Sequence, residues 1–386
     1  MSLGGWRRWS VPALAAAGIA AVYAAPAAFA GSPHPGLPVR SAAQLLAAMQ
    51  QSRVQAFSGT ISTGANLGLP QLPDRVAPAG SGLPALLTGT HTLRVWANGP
   101  DRQRLALLSD LAETDLVHNG TNLWTYTSAT NTVTHRVLPP ASGTPHAAGS
   151  DSGNTADPGD GSTVAQALTP QAQAQKALQA IDPTTAVSVD GTVRVAKRPA
   201  YQLTLTPRTS ATLIRSVRIA IDATTFVPLR VQIFATTGTN PVWQTGFTHV
   251  DFTAPPAKTF QFTPPRGAKV TTSSAPLGPA SGTETPSATA HLSSSPQPRV
   301  IGHGWSSILE LPAGTLTQAT SAPTGSRPDA SSSSAMLLLR KLATPTAQGQ
   351  LIATPLLSVL ITPDGRVFVG AVPPAAVQHA ASSAGA

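Results

Sequence analysis

Cysteine is absent from all 386 residues, which excludes disulfides, thiol nucleophiles, Cys-ligated zinc, iron–sulfur clusters and lipid attachment through an N-terminal cysteine. Charge is scarce too: only 11% of residues are charged and 5% are aromatic. The formal net charge of +9 is spread out, with no Lys/Arg run longer than two. Nucleic-acid binding needs a basic cluster with interleaved aromatics, so no nucleic-acid partner is expected. The charge supports no more than weak attraction to anionic envelope surfaces, a peripheral membrane contact.

Catalytic signatures are missing as well. Gly304-Trp305-Ser306-Ser307-Ile308 lacks the second glycine of a nucleophile elbow, and no Ser-x-x-Lys occurs. The nine histidines include no pair at helical ligand spacing. His91, His118, His135 and His249 are therefore expected on strand surfaces, and His303 beside Trp305 as packing. Asp151, Asp157 and Asp160 lack the ligand spacing of a calcium loop. Asn119-Gly120-Thr121 matches a glycosylation acceptor but is explained equally well as a turn. Neither an enzyme nor a cofactor or metal is expected.

What the chain has in quantity is proline (37) and glycine (32), the composition of an exported protein with long linkers. Residues 1–30 carry Arg7 and Arg8, an uncharged run from Ser10, and Ala28-Phe29-Ala30 before Gly31. This is the anatomy of a signal peptide, or, since the run reaches about twenty residues, of an uncleaved anchor. Either one places the bulk of the chain outside the cytoplasm, secreted or associated with the envelope. Two tracts without periodicity, 139–164 and 271–298, read as a flexible insertion and a linker.

Between these tracts the pattern is that of strands. Asp115 to Val137 reads as three strands joined by turns at Asn119-Gly120 and Ser128 to Asn131, with Asn-Gly supplying two positive φ angles. The pleat puts Trp124 and Tyr126 on one apolar face, with Leu123, Thr125 and Thr127 on a wet one. Strands are also expected over 55–63, 91–97, 102–108, 186–196, 200–206, 214–222, 226–235 and 243–252, with turns at Asp190-Gly191 and Asp222. Ser41 to Arg53 reads as a helix with a capping box from Ser41 to Gln44 and a stripe of Ala42, Leu45, Leu46 and Met49. A second helix starts at Thr169-Pro170, with Ala174, Ala177, Leu178 and Ile181 as its stripe. Gly64 to Thr88 is an apolar, proline-punctuated loop that should lie over something. Beyond 300, Val300 to Leu311, a short helix near Ala335 to Leu342 and a hairpin at Pro363-Asp364-Gly365 form a small α+β unit extending to about 380.

About nine strands at roughly 4.8 Å spacing make a sheet near 40 Å wide, of which two helices about 10 Å across cover only half. The surplus apolar face is expected to curl around a guest. Its lining would be Leu93, Val95, Leu105, Leu107, Trp124, Tyr126, Leu203, Leu205, Val217, Ile219, Leu229, Val231 and Ile233, aliphatic surroundings suited to acyl chains. The alternative is that the loop 64–88 and the C-terminal unit fill the hollow themselves.

NGTNLWTY at 119–126 resembles the strand-turn-strand signature of the LolA-like periplasmic lipoprotein-carrier superfamily, which includes RseB- and MucB-type N-terminal domains. Asp222, Phe226-Val227-Pro228-Leu229 and Phe247 to Phe252 resemble its second-half hairpin, and Pro264-Pro265-Arg266-Gly267-Ala268 its closing segment. The resemblance covers 41–270 and implies a mainly β (α+β) fold: an unclosed antiparallel β-barrel, or strongly curved sheet, with a helical lid. It implies lipid or lipoprotein acyl chains as partners. A second expectation, carried by the same resemblance, is an envelope-stress sensor that binds a membrane-anchored anti-sigma factor through the C-terminal unit. The two linkers and that unit depart from the carrier pattern.

Overall fold

A computed structural model describes residues 36–68, 89–108, 112–138, 169–179, 183–273, 297–315 and 343–383. The proposed signal, most of the 64–88 loop, nearly all of both tracts, Ile181 and the helix near 335–342 lie outside the described residues. Among the described residues no helix is long and apolar enough to cross a membrane.

The protein is mainly β, built on a twelve-stranded curved sheet that does not close into a barrel, with a second, six-stranded sheet. The large sheet contains β1 (Ala56–Ala65), β2 (Gly89–Asn98), β3 (Arg102–Leu108), β4 (Glu113–Asn119), β5 (Asn122–Thr127) and β6 (Thr132–Val137). It continues with β7 (Thr185–Val195), β8 (Arg198–Pro207), β9 (Ile214–Asp222), β10 (Pro228–Ala235), β11 (Trp243–Asp251) and β12 (Lys269–Ser273). The strand order is β12-β6-β5-β4-β3-β2-β1-β11-β10-β9-β8-β7, two consecutive meanders sewn together where β1 meets β11. Every pairing is antiparallel except that of β12, which runs parallel to β6. Thr271-Thr272-Ser273, expected to open the linker, instead continue Lys269-Val270 as the edge strand β12.

Among the described residues, two short α-helices accompany this sheet. α1 (Ala42–Gln50) starts at the capping box, Ser41 Oγ accepting from the Gln44 amide at 3.2 Å and Gln44 Oε1 from the Ser41 amide at 2.9 Å. α2 (Pro170–Gln179) is capped by Thr169, whose Oγ1 accepts from the Ala172 amide. Each cap satisfies an amide that a helix start leaves without a partner.

The turns hold two corrections. Asn119 pairs with Asn122, so the hairpin loop is Gly120-Thr121, and only Gly120 (φ +62°) needs the left-handed region. Asp190-Gly191 is not a turn but an irregularity within β7, between Val189 and Thr192, with Gly191 at φ +86°. A bulge and a turn ask for the same residue chemistry, which is why the sequence could not separate them.

The small sheet is ordered β13-β14-β18-β17-β16-β15, with β13 (Arg299–Ile301), β14 (Ile308–Leu311), β15 (Thr344–Thr346), β16 (Gly349–Ala353), β17 (Ser358–Ile361) and β18 (Val367–Gly370). The helix α3 (Pro374–Ser383) buries Val377, Ala380 and Ala381 against Ile308, Leu351, Leu360 and Phe368. Its alanine-rich sequence gave no stripe to read.

The two sheets touch. The Leu213 amide and the Thr212 hydroxyl both donate to the Ala371 carbonyl at 2.8 Å. Leu356 packs with Leu67, Ala235 and Val242, so the start of the loop after β1 does lie over the core.

Candidate functional site: a roofed apolar face

Strand register places Val189, Leu203, Ile219, Val231, Thr245, Thr63 and His91 in one row across seven strands. Residues directly opposite each other share a face, so this row is one surface. Its apolar members join Leu205, Val217, Ile221 and Tyr201 in a single cluster. Where the row turns polar, Thr63 and Thr245 are wholly buried and bond to each other through their hydroxyls at 2.9 Å. A hydroxyl pair of this kind satisfies both groups without water.

Among the described residues, three parts of the chain cover this cluster. Leu45, with Ala42, Leu46 and Met49 beside it, comes from α1, and Ala174, Ala177 and Leu178 come from α2. The third is Trp305, carried on a single 3-10 turn (Gly304–Ser306) between β13 and β14 of the small sheet. Its indole Nε1 donates to Thr185 Oγ1 on β7 at 2.7 Å. A buried Trp N–H needs such a partner, so the bond fixes the ring over the sheet. His303, expected to pack, is exposed; the packing residue is Trp305.

The residues expected to line one cavity fall into three places. Leu203, Leu205, Val217, Ile219, Val231 and Ile233 belong to the roofed cluster. Leu93, Val95, Leu105, Leu107 and Leu229 belong to another, with Ile61, Leu116, Phe247 and the Val193–Ala200 end of the β7–β8 hairpin. Leu229 parts from Val231 because the pairing slips between Pro228 and Arg230. Trp124 and Tyr126 share a face, as alternation requires, but it is the reverse one, where Phe262 packs against both rings and Trp124 stacks on His135 at 3.8 Å. The side expected to be wet holds the buried Leu123. Leu93, Leu203, Leu205, Ile219 and Leu229 are wholly buried.

At the rim of the roofed cluster, an open groove of about 530 Å³ runs between the end of α1 and the β9–β10 turn. It is lined by Gln51, Ser52, Arg53, Thr224, Thr225 and Phe226 among others, and Phe226 also packs on the cluster. Asp222 builds this turn. Its Oδ1 accepts from the amides of Thr224 (3.1 Å) and Thr225 (2.8 Å) and from the Thr225 hydroxyl (2.9 Å). Arg198 grips both carboxylate oxygens. Burial pushes the Asp222 carboxyl up, but the bonds from Arg198 and Thr225 outweigh it and hold it below the usual carboxylate value. The turn forces Phe226 to φ +58°, a conformation costly for an aromatic residue that persists only when its surroundings over-determine it. Arg40, 5.1 Å over the Phe226 ring, and the Ser52 hydroxyl, bonded to the Thr225 carbonyl, do so.

No family model matches the sequence of this chain, and no curated protein matches it. Among solved structures it matches MucB at 16% identity and a TM-score of 0.39, covering 89% of this chain and 96% of that one. The Pseudomonas aeruginosa MucA/MucB complex matches at 18% and 0.40, covering 87% and 95%. A LolA superfamily protein from Nitrosomonas europaea matches at 11% and 0.21, covering 58% and 99%. Among the described residues no group of His, Asp and Glu is placed to hold a metal ion.

Proposed function

We propose that this chain is an extracytoplasmic, non-enzymatic binding protein for acyl chains, which enter from the groove at Phe226 and replace the roof over the β8–β10 row. The observation that carries the reading is the roof itself: α1 and α2 have nine and ten residues, and the third cover is one side chain from another sheet. Helices this short do not persist alone in water, so apolar contact with the sheet is what keeps them. An acyl chain offers the sheet the same contact. Burying fourteen carbons contributes on the order of 10 kcal/mol at ~0.8 kcal/mol per methylene, before the entropy of ordering the chain.

Trp305→Ala removes one cover and its bond to Thr185 while leaving the sheet intact. It is expected to raise the affinity for a fluorescent fatty acid about five- to tenfold, the equivalent of about 1 kcal/mol of competing ring contact. Solvent extraction of protein from its native envelope, followed by mass spectrometry, should recover lipid. Protein that is consistently empty and takes up no fatty acid in either form overturns the reading.

A second reading, a sensor that docks a membrane-anchored partner such as a MucA-like protein, draws on the outer face of the small sheet. There Val300, Leu309, Val369 and Val359 form one cross-strand row, with Val300 62% and Leu309 39% exposed. Leu309→Glu should abolish co-purification with such a partner at unchanged thermal stability. Undiminished recovery removes the reading.

A further inference from the structure

β12 stands at one end of the large sheet, and among the described residues nothing pairs with its outer side. Its alignment with β6 runs without a shift from Lys269 opposite Thr132 to Ser273 opposite Arg136. No proline and no bulge interrupts it. Lys269, Val270, Thr271 and Thr272 are all exposed, Val270 at 47%. A straight, uncovered edge invites another strand, and folded proteins commonly blunt theirs with prolines, bulges or charges. Of these devices β12 carries one lysine, at its first residue.

The direction of the main-chain groups decides which strand fits. The Lys269 amide donates to the Asn131 carbonyl at 3.0 Å, so Lys269 turns its groups towards β6. Successive residues of a strand turn theirs to opposite sides. Thr271 therefore also faces β6, while Val270 and Thr272 each offer an amide and a carbonyl to the outside. A second copy of β12, laid antiparallel and centred on Thr271, sets Val270 opposite Thr272 and Thr272 opposite Val270. In each of these pairs two outward residues exchange two hydrogen bonds. Sliding one copy by a single residue would set outward residues against inward ones, so the register is specific. The side chains agree with it. Lys269 lies opposite Ser273 of the second copy, which brings no two lysines together, and Val270 meets a threonine, a β-branched cross-strand pair. On the aromatic face the row Tyr126, Val133 and Val270 runs on into Thr272, His135 and Trp124 of the second copy.

We propose that β12 is a pairing strand for a second copy of this chain, joined antiparallel about a two-fold axis at Thr271. The pairing uses up the open edge of both copies, so assembly stops at the dimer. A single pair of short strands is a small contact, which makes the dimer a reversible one that forms as concentration rises. It is independent of the acyl reading, because it occupies the end of the sheet and not the roofed face.

A chain without cysteine allows a direct test with single introduced thiols. Thr271 would face its own copy as a pair without mutual hydrogen bonds, with Cα atoms about 4.5 Å apart, within disulfide reach. Mild oxidation of full-length Thr271→Cys should therefore give a covalent dimer on a non-reducing gel. Lys269→Cys should not, because four residues separate the two thiols along the strand, about 13 Å. Analytical ultracentrifugation of the wild type should show a monomer–dimer equilibrium. Thr272→Pro, which removes an outward amide and leaves the bonds to β6 in place, should raise the dissociation constant at least about tenfold. Val300→Lys, on the edge strand of the small sheet, should leave it unchanged. A wild type that stays monomeric with no cross-link at Thr271→Cys, or equal cross-linking of Thr271→Cys and Lys269→Cys, overturns the proposal. So does a dimer that survives Thr272→Pro and is lost in Val300→Lys. If Thr272→Pro fails to fold, the comparison of the two cysteine variants decides alone.

Discussion

Ile219→Asp is expected to leave the protein unfolded at room temperature. Ile219 is wholly buried within the seven-strand row, flanked by Leu203 and Val231. Removing its side chain costs about 2–5 kcal/mol by large-to-small precedent. Placing an unpaired carboxyl there adds at least about 2 kcal/mol even in its neutral form. Together these rival the whole stability of a typical domain, about 5–15 kcal/mol. Loss of the far-ultraviolet β signal and of a cooperative urea transition would confirm it. Val231→Asp, one strand over and almost as buried, should behave alike, and normal melting of both variants would show that these side chains face water.

Asp222→Ala should cost about 3 kcal/mol, because it leaves Arg198 and the Thr224 and Thr225 amides without their acceptor. The same residue gives a dependence on pH. Its carboxyl titrates below the ordinary value in the folded chain, so as pH falls the unfolded state takes up the proton first. The contribution is therefore complete above the unfolded carboxylate value of about 4 and is lost as pH drops through the lower folded one. Urea midpoints measured from pH 6 downward should fall for the wild type below about pH 4 and fall less for Asp222→Ala. Parallel curves would mean that Asp222 does not set this slope.

How far the sequence could be read depends on distance along the chain. Alternation in Leu203 and Leu205, Val217 and Ile219, and Val231 and Ile233 found the strands of the second meander and the face they share. The capping chemistry of Ser41 and Thr169 found both helix starts. Each of these signals is carried by neighbours within a few residues. What escaped depends on partners far away. The parallel pairing of Lys269–Ser273 with Thr132–Val137 joins segments more than a hundred residues apart, and no local pattern announces it. Trp305, read only beside His303, is the residue that reaches the other sheet. Aromatic content misled as to side, since Trp124 and Tyr126 pack on Phe262 of the segment before β12 while the smaller Leu123 enters the core.

The irregularity at Asp190-Gly191 lies in β7, the strand that ends the large sheet. A straight terminal strand offers its outward amides and carbonyls to any extended chain, and twelve flat strands would stack copy upon copy. The kink breaks that template at its middle, and the Asp190 side chain, bonded to Ser188, places a negative charge beside it. The kink thus makes this end of the sheet a poor template for a further strand.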